Sequence, residues 1–372
     1  MNVPKIRYDN FTKEWEKVKL SSQASFLQGL TYTPNDVSND GTIVLRSSNI
    51  QNSMVDYNDI VRVNIIIPEK LKIKENDILM CVRNGSKSLV GKTAWLSKNE
   101  EKCTWGAFMN IIRPKERNKF VYYYLNSKYF YNHVWKDLGT ATVNQITKQT
   151  LESCYLNIPS IEEQEKISNT LSLLDQKIKL QSKKIEDLKL FKKGLSNNIF
   201  NNLKNFEEYK LGDLCNITTG KLDANAMVEN GKYRFYTCAK EYSFIDEYSF
   251  DTEALLISGN GAYVGYIHYY NGKFNAYQRT YVLDQFSQNI QFIKCYLDEN
   301  LSRRIKSEKK EGNTPYIVLS TLSDMIIKVP SKENQKNISN IINYHQKKIL
   351  LEENKLQKLQ ELKKGLMQNM FV

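Results

Sequence analysis

The sequence has few of the residues that build metal sites, disulfides or membrane spans. Its 372 residues contain only three histidines and six cysteines. The cysteines are scattered without a Cys-x-x-Cys pair, a pattern that argues against a zinc site and is typical of reduced thiols. Aliphatic runs such as the one around residues 63–67 are far too short for a bilayer, and we expect no signal peptide. These features predict a cytosolic protein without a metal centre.

The motifs of common enzyme classes are also missing. His133, His268 and His345 have no local partners that would suggest a catalytic triad. There is no glycine-rich loop opening a Rossmann unit, no Asn/Asp-Pro-Pro-aromatic run of amino-methyltransferases and no acidic nuclease cluster. Residues 85–93 are similar to a phosphate-binding P-loop, but five residues instead of four separate the glycines. Together these absences favour a binding protein with no cofactor of its own.

Positive charge is abundant but unevenly distributed. The net charge is +12 and the pI is about 9.1, which favours an acidic partner such as nucleic acid or a membrane surface. Residues 1–142 carry 21 Lys and Arg against 14 Asp and Glu, whereas residues 201–312 carry 14 against 15. The second region would therefore need a local cluster to bind such a partner. The candidate cluster is Arg303, Arg304, Lys306, Lys309 and Lys310. The alternative interpretation of this run is a solvated helix face.

One stretch of the chain occurs twice. Residues 158–200 align with residues 329–371 without a gap, at a constant offset (329 − 158 = 171). The closing residues Phe200 and Phe371 match, and both copies contain a Lys-Lys-Gly-Leu run. A gapless match of this length indicates a tandem of two units.

Each copy of the repeat predicts a long amphipathic helix. A Pro-Ser pair supplies an N-cap, and about forty residues can stay helical, a rod of roughly 60 Å. The apolar residues alternate steps of four and three, which is the heptad spacing of paired helices. We expect the two helices to pair with each other as a coiled coil, and if they pair antiparallel, Gln181 and Glu352 could meet; two unrelated helices on separate cores are the alternative. The seam residues are Ile167, Leu171, Leu174, Ile178, Ile185, Leu188, Ile338, Ile342, Ile349, Leu356 and Leu359.

The regions before the two helices are predicted to be α+β units of the same design. Short β-type runs alternate with turns, including a hairpin turn at Asn271-Gly272, and a helical stretch covers residues 119–136. Glycine-rich loops at residues 85–91 and 258–265 are interpreted as one structural turn that both units share. The loop at 139–146 has its counterpart at 312–317. The predicted boundaries are, in order, 1–157, 158–200, 201–328 and 329–372.

Basic and hydroxyl side chains are interleaved with 23 tyrosines. Arg, Lys, Asn and Ser read base edges and phosphates, so the pattern favours contact with DNA, although each position taken singly is more often an ordinary surface residue. The candidate contacts are Arg46, Ser47, Ser48, Asn49, Lys87, Lys92, Thr218, Thr219, Lys221, Asn260, Tyr263, Arg279, Arg303 and Arg304.

Over essentially its full length the chain resembles the DNA-specificity subunit of type I restriction–modification systems. The resemblance is carried by the two helices ending in Lys-Lys-Gly-Leu and a following Phe, by the unit starts at Trp15 and Phe206, and by the run Ile217–Lys221. It implies two target-recognition domains, each reading half of a bipartite site in double-stranded DNA, with half-sites about one helical turn apart.

The resemblance also implies how the chain is used. The two conserved helices would pack antiparallel, set the spacer and dock two methyltransferase subunits, which would bind S-adenosylmethionine and modify adenine. Restriction or motor subunits would join for cleavage, and this chain would itself be non-catalytic. Two alternatives remain at this point: a fused methyltransferase or nuclease with unrecognised motifs, and a coiled-coil scaffold that does not read DNA.

Overall fold

The computed structural model describes residues 3–138, 144–308 and 316–372. The chain forms two compact units, of which the first comprises Met1–Gln181 and Lys355–Val372 and the second Ser182–Asn354. The predicted loop pair at 139–146 and 312–317 lies mostly outside the described residues. Each unit combines strands and helices with a part of both long helices, so the α+β prediction is confirmed.

The first unit is built from short strands and four short helices that precede the first long helix. Two four-stranded sheets have the orders β10-β4-β7-β3 and β2-β11-β8-β9, and two further pairs are β1-β12 and β5-β6. Only β10 and β4 are parallel in these described sheets. The strands are β1 (Glu16–Lys19), β2 (Ala24–Gln28), β3 (Val37–Ser38), β4 (Thr42–Leu45), β5 (Ile50–Gln51), β6 (Met54–Val55), β7 (Val61–Val63), β8 (Ile78–Cys81), β9 (Thr93–Trp95), β10 (Cys103–Trp105), β11 (Met109–Pro114) and β12 (Tyr155–Ile158). The helices are α1 (Leu20–Gln23), α2 (Phe120–Leu125), α3 (Lys128–Leu138), α4 (Lys148–Ser153) and the long α5 (Ile161–Asn201).

The second unit gathers most of its strands in one sheet. Six strands are ordered β14-β19-β17-β18-β15-β16, and β13 pairs with β20. The strands are β13 (Phe206–Lys210), β14 (Asn216–Thr219), β15 (Tyr233–Tyr236), β16 (Ser243–Ile245), β17 (Phe250–Ser258), β18 (Ile267–Ala276), β19 (Thr280–Asp284) and β20 (Ile326–Pro330). The helices are α6 (Leu211–Leu214), α7 (Ile290–Glu308), α8 (Leu319–Ser323) and the long α9 (Lys332–Asn369).

Each unit starts, just after Trp15 and at Phe206, with a strand that pairs with the strand leading into a long helix. Strand β1 runs antiparallel to β12, with Glu16 opposite Ile158. Strand β13 runs antiparallel to β20, with Phe206 opposite Pro330. The first strand of each unit therefore fixes the start of the long helix.

A glutamine that occurs in both repeats locks each helix start. Gln164 donates to the carbonyl of Pro159 at 3.0 Å and accepts from Asn118 at 3.3 Å. Gln335 donates to the carbonyl of Pro330 at 2.9 Å and accepts from the backbone amide of Asn289 at 3.0 Å. Both glutamines are buried. Because buried amides need partners, the repeated glutamine is explained by this shared bonding.

The phenylalanine that closes each repeat is a core residue. Phe371 is buried in the first unit, with its ring centroid 5.2 Å from that of Phe120. Phe200 is buried in the second unit, 5.3 Å from the ring of Tyr296. The end of α9 and the residues that follow it thus complete the first core, and the end of α5 completes the second.

The predicted seam faces inward. All eleven predicted seam residues are buried or half-buried. In the second unit Lys184 forms an ion pair with Glu352 at 3.0 Å, and Lys192 donates to Gln346 at 2.8 Å. The residue numbers rise on α5 while they fall on α9, so the two segments in this unit run antiparallel.

Polar side chains at or beside the seam are engaged as well. Asp175 and Lys363 form an ion pair in the first unit. Glu352 is buried, which a carboxylate tolerates only with a charge or hydrogen-bond partner such as Lys184. The meeting of Gln181 with Glu352 stays a prediction.

One local prediction was wrong. Asn271 and Gly272 do not form a hairpin turn but lie inside β18, where Gly272 is opposite Thr252 of β17. The ladder between β17 and β18 extends over eight residue pairs, and this pairing overrides the local turn preference. The predicted helical stretch at 119–136 is confirmed as two consecutive helices, α2 and α3. The Asn126 side chain donates to the Tyr122 carbonyl at 2.8 Å where α2 ends.

None of the helices in the described ranges contains an apolar stretch that could span a bilayer.

Candidate nucleic-acid interface

One edge of each unit is built on the same backbone frame. In the first unit the amides of Val82 and Arg83, just after β8, donate to the carbonyl of Phe108 at 3.0 and 3.2 Å. The amide of Ile146 donates to the carbonyl of Val82 at 2.7 Å, and Arg83 forms an isolated bridge with Gln145. We call this arrangement edge 1. Three segments that are distant in sequence meet there.

The second unit repeats this frame in edge 2. The amide of Gly259, just after β17, donates to the carbonyl of Arg279 at 2.9 Å. The amide of Ile317 donates to the carbonyl of Gly259 at 2.8 Å, and Asn260 forms an isolated bridge with Tyr316. Arg83 therefore corresponds to Asn260, and Phe108 corresponds to Arg279.

The two glycine-rich loops are equivalent parts of these edges. The amide of Gly91 donates to the carbonyl of Cys81 at 2.8 Å, and that of Gly265 donates to Ser258 at 2.8 Å. Both glycines have positive φ, 86° and 81°, a conformation that glycine adopts without strain. The prediction of one turn shared by both units is confirmed. The loop at residues 85–91 is this structural turn and is not interpreted as a phosphate-binding P-loop.

A close backbone approach supports each edge from below. A Cβ at Gly29, after β2, would overlap the carbonyl oxygen of Gly106, and a Cβ at Gly220, after β14, would overlap that of Ala276. Only glycine fits such a contact. It holds Lys221, an exposed candidate, beside the turn that contains Arg279.

Edge 1 presents cations that are held by aromatic rings. The guanidinium of Arg83 lies 5.1 Å from the ring centroid of Phe108, and the Lys87 ammonium lies 4.6 Å from that of Trp135. Both rings are exposed. Cation–π contact fixes a charged side chain without using up its N–H donors, so these cations can still bind an anion or a base.

A groove of about 840 Å³ adjoins this edge and contains the first predicted loop. Arg46, Ser47 and Ser48 line it together with Phe108. The loop is tied to the edge, because the Asn84 side chain donates to the Ser47 hydroxyl at 3.0 Å. The Arg46 guanidinium forms an ion pair with the exposed Asp59 at 2.8 Å. This pair lowers the net positive charge of the groove.

Two residues predicted near this groove hold the frame instead of projecting from it. Asn49 is 0% exposed, and its amide donates to the carbonyls of Asp56 and Asp59 at 2.8 Å each. Lys92 is half-buried after the glycine-rich loop, and its carbonyl accepts from the amide of Cys81. Burial raises the pKa of the Cys81 thiol to about 11, so the thiol stays protonated beneath the edge.

Edge 2 gathers most candidates of the second unit. Thr218 and Thr219 are exposed on β14, one of the two edge strands of the six-stranded sheet. Arg279 is exposed on the turn, and Asn260 is half-buried beside it. The ring of Tyr263 is 43% exposed and lies 5.3 Å from the Lys240 ammonium.

A further basic and aromatic cluster lies on the sheet of the second unit, and our list of candidates omitted it. The Arg234 guanidinium lies 4.3 Å from the ring centroid of Tyr242 and 4.5 Å from that of Tyr270. Burial lowers the pKa of His268, whose Nε2 lies 2.9 Å from the carbonyl oxygen of Ala239. The sequence signal was the alternation of aromatic and basic residues at 233–236.

The predicted basic helix run is not part of either edge. Arg303 pairs with Glu299 at 2.9 Å and donates to Asn197 of α5 at 2.8 Å. Arg304 pairs with Glu308 at 2.7 Å. Lys309 and Lys310 lie outside the described residues. The two arginines are thus engaged within their own unit.

Comparison with known proteins identifies a family. The family model for the type I restriction modification DNA specificity domain matches residues 12–190 and 203–361. The EcoDI specificity subunit of Escherichia coli is 40% identical over 130 residues, which are 35% of this chain and 29% of that protein. The MjaIX specificity subunit of Methanocaldococcus jannaschii is 24% identical over 326 residues, 76% and 74% of the two chains.

Solved structures show the same fold. The type I restriction–modification S subunit from M. genitalium matches with a TM-score of 0.68 at 19% identity, over 100% of this chain and 99% of that chain. A chain from a study of type I complex assembly matches with a TM-score of 0.58 at 14% identity, over 97% and 98%. The matched segment spans well under half of the EcoDI subunit's length. Because the family model matches both units, the chain belongs to the type I restriction–modification DNA specificity family.

Proposed function

We propose that this chain is the non-catalytic specificity subunit of a type I restriction–modification complex, and that each unit reads one half of a bipartite site in double-stranded DNA. The duplicated frame with unlike exposed side chains carries this proposal. The same backbone frame in both units suits two contacts with the same kind of ligand. Different side chains on it suit two different base sequences.

The charge distribution supports the same function. The edges carry Arg83, Lys87, Lys221, Lys240 and Arg279, which are exposed or held by aromatic rings. Phosphate contacts by Lys and Arg supply most of the affinity for DNA. The second region carries 14 basic against 15 acidic residues, so we expect this unit to bind DNA weakly without partner subunits.

The long helices would dock those partners through two equivalent patches. In the first unit Leu173, Leu180 and Leu362 are more than half exposed, and so are their repeat counterparts in the second unit. We call these two sets the outer patches; the second comprises Tyr344, Leu351 and Phe191. Several exposed apolar side chains on the long helices of one unit suit a protein interface, and equivalent sets in both units suit two copies of one partner.

The partner proposed for the outer patches is a methyltransferase subunit that binds S-adenosylmethionine and modifies adenine. Its docking segment would present an apolar helix face, since a helix laid along paired helices buries such side chains efficiently. The Lys-Lys-Gly-Leu run supports this role, because nothing lies within 4 Å of a Cβ at Gly194 or Gly365. A glycine inside a helix costs about 1 kcal/mol relative to alanine, so a close approach by a partner would explain the residue.

Charge inserted into the patches tests this docking. Leu180→Glu should leave one methyltransferase copy bound instead of two, and adding Leu351→Glu should remove both. Leu190→Glu is the matched control, because it is equally exposed and its repeat counterpart is already Glu361. The mass of the purified complex measures the outcome. Two copies bound to the double variant would exclude the patches as docking surfaces.

The proposal that the helices set the spacer has its own test. Seven residues inserted after Ser182 and seven after Glu353 keep the heptad phase of both helices. They add about 10 Å of helix, which corresponds to roughly three base pairs. The methylated motif should keep both half-sites and gain a spacer longer by that amount. An unchanged spacer in a stable complex would contradict the proposal that the length of the helices sets the spacer.

The two alternatives make different predictions. A fused methyltransferase should bind S-adenosylmethionine as the purified chain alone, whereas we expect no binding. A scaffold that does not read DNA should give no sequence-dependent methylation in a complex with the methyltransferase subunits.

A further inference from the structure

The duplicated frame carries one arginine per unit, at different positions. In edge 1 the arginine is Arg83, after the strand, and the turn position is occupied by Phe108. In edge 2 the position after the strand is Asn260, and the arginine is Arg279 on the turn. Both edges therefore present one guanidinium, but edge 1 presents it from the position after the strand and edge 2 presents it from the turn position.

These two arginines differ from most others in the chain. All ten arginines lie in the part of the chain that the structure describes, and seven of them bond a protein acceptor. The exceptions are Arg83, Arg279 and the exposed Arg117. The seven are Arg7, Arg46, Arg62, Arg113, Arg234, Arg303 and Arg304. Arg83 and Arg279 thus keep their donors for a ligand.

The backbone at both positions is fixed. Arg83 is held by its amide bond to the Phe108 carbonyl and by the bridge to Gln145, and its guanidinium lies over the Phe108 ring. The Arg279 carbonyl accepts from the amide of Gly259 at 2.9 Å. An exposed side chain on a fixed backbone loses little freedom on binding, and such residues provide specificity.

We infer that Arg83 and Arg279 each read a guanine, Arg83 in the half-site of the first unit and Arg279 in that of the second. The inference rests on the proposed function. A planar guanidinium donates two parallel hydrogen bonds to the O6 and N7 atoms of guanine, which no other base offers in the major groove. The frame would then place the two guanines at different positions within the two half-sites.

The test maps the methylated motif of variant complexes. This chain, purified in complex with its methyltransferase subunits, methylates a DNA library with randomised half-sites. Arg83→Ala should lower the preference for guanine at one position of the first half-site, on the order of 10- to 100-fold. The second half-site and the spacer should stay unchanged. Arg279→Ala should relax one position of the second half-site alone.

Two further variants keep the test decisive. Arg83→Lys retains the charge but not the paired donors, so the guanine preference should still fall if the variant folds. Arg117→Ala is the control, because it removes an exposed positive charge from the first unit outside the edge; both half-sites should stay intact. If Arg83→Ala and Arg279→Ala leave a split motif unchanged, the guanine assignment is wrong while the proposed function stands. If the unmodified chain gives no split motif, the proposed function itself fails.

Discussion

The long helices and the edges both occur twice, but the two copies of each share different features. The helices keep side chains: glutamine, glycine, lysine and phenylalanine recur at equal positions in both copies. The edges keep backbone bonds, whereas their exposed side chains differ, as Arg83 and Asn260 show. The recurring glutamine and phenylalanine are buried and serve the helix starts and the cores. The recurring glycine and Lys193 with its counterpart Lys364 lie at the surface, and they suit two copies of one partner. A backbone that recurs under different side chains suits ligands of one kind and two sequences.

The largest expected effect concerns the closing phenylalanines. Phe371→Ala and Phe200→Ala should each destabilise the unit whose core holds the ring by about 3–5 kcal/mol, because each leaves a cavity. Hydrogen exchange separates the units: Phe371→Ala should speed exchange in α2, and Phe200→Ala in α7. Phe191→Ala, which truncates an exposed ring, is the control and should change stability by less than about 0.5 kcal/mol. Equal loss of protection in both units by either variant would contradict the assignment.

A smaller effect is expected at the glycines beneath the edges. Gly29→Ala should disturb edge 1 and Gly220→Ala edge 2, since the new methyl group overlaps a carbonyl oxygen in each case. Overpacking of this kind costs about 1–3 kcal/mol. Denaturant midpoints measure the loss. The motif of each variant complex should be weakened in one half-site only, and weakening of both halves by either variant would argue against independent edges.

The smallest effect separates the free chain from the complex. Gly194→Ala and Gly365→Ala should raise the stability of the free chain by up to about 1 kcal/mol each. The same variants should weaken methyltransferase binding if the partner's backbone lies against the glycines. Thermal unfolding and affinity are measured on the same preparations. Tighter or unchanged binding would show that the glycines do not serve the interface.

Much of this architecture was predictable because it depends on periodicity. The heptad steps place Ile167, Leu171, Ile342 and Ile349 on inner faces, and each is buried. The gapless repeat gave both long helices, which begin three residues after the predicted starts at 158 and 329. Apolar spacing along one helix is a local signal, so no knowledge of distant contacts was needed.

The edges depend on contacts that the sequence does not display. Arg83 became a candidate only when the structure placed it beside Phe108, 25 residues later in the chain. Asn49 has the right chemistry for a base contact, yet its amide is used by backbone carbonyls. Asn271-Gly272 has the sequence of a turn, but both residues are paired with β17 inside strand β18. Tertiary pairing decided each of these cases.

Mapping the methylated sequence of the unmodified complex tests the central claim most directly. The chain, co-expressed with the proposed methyltransferase partner, should direct adenine modification in a motif of two unlike half-sites separated by a fixed spacer. That result would show two edges on one frame reading two sequences. A continuous motif would mean that one unit alone reads DNA, and would contradict the account.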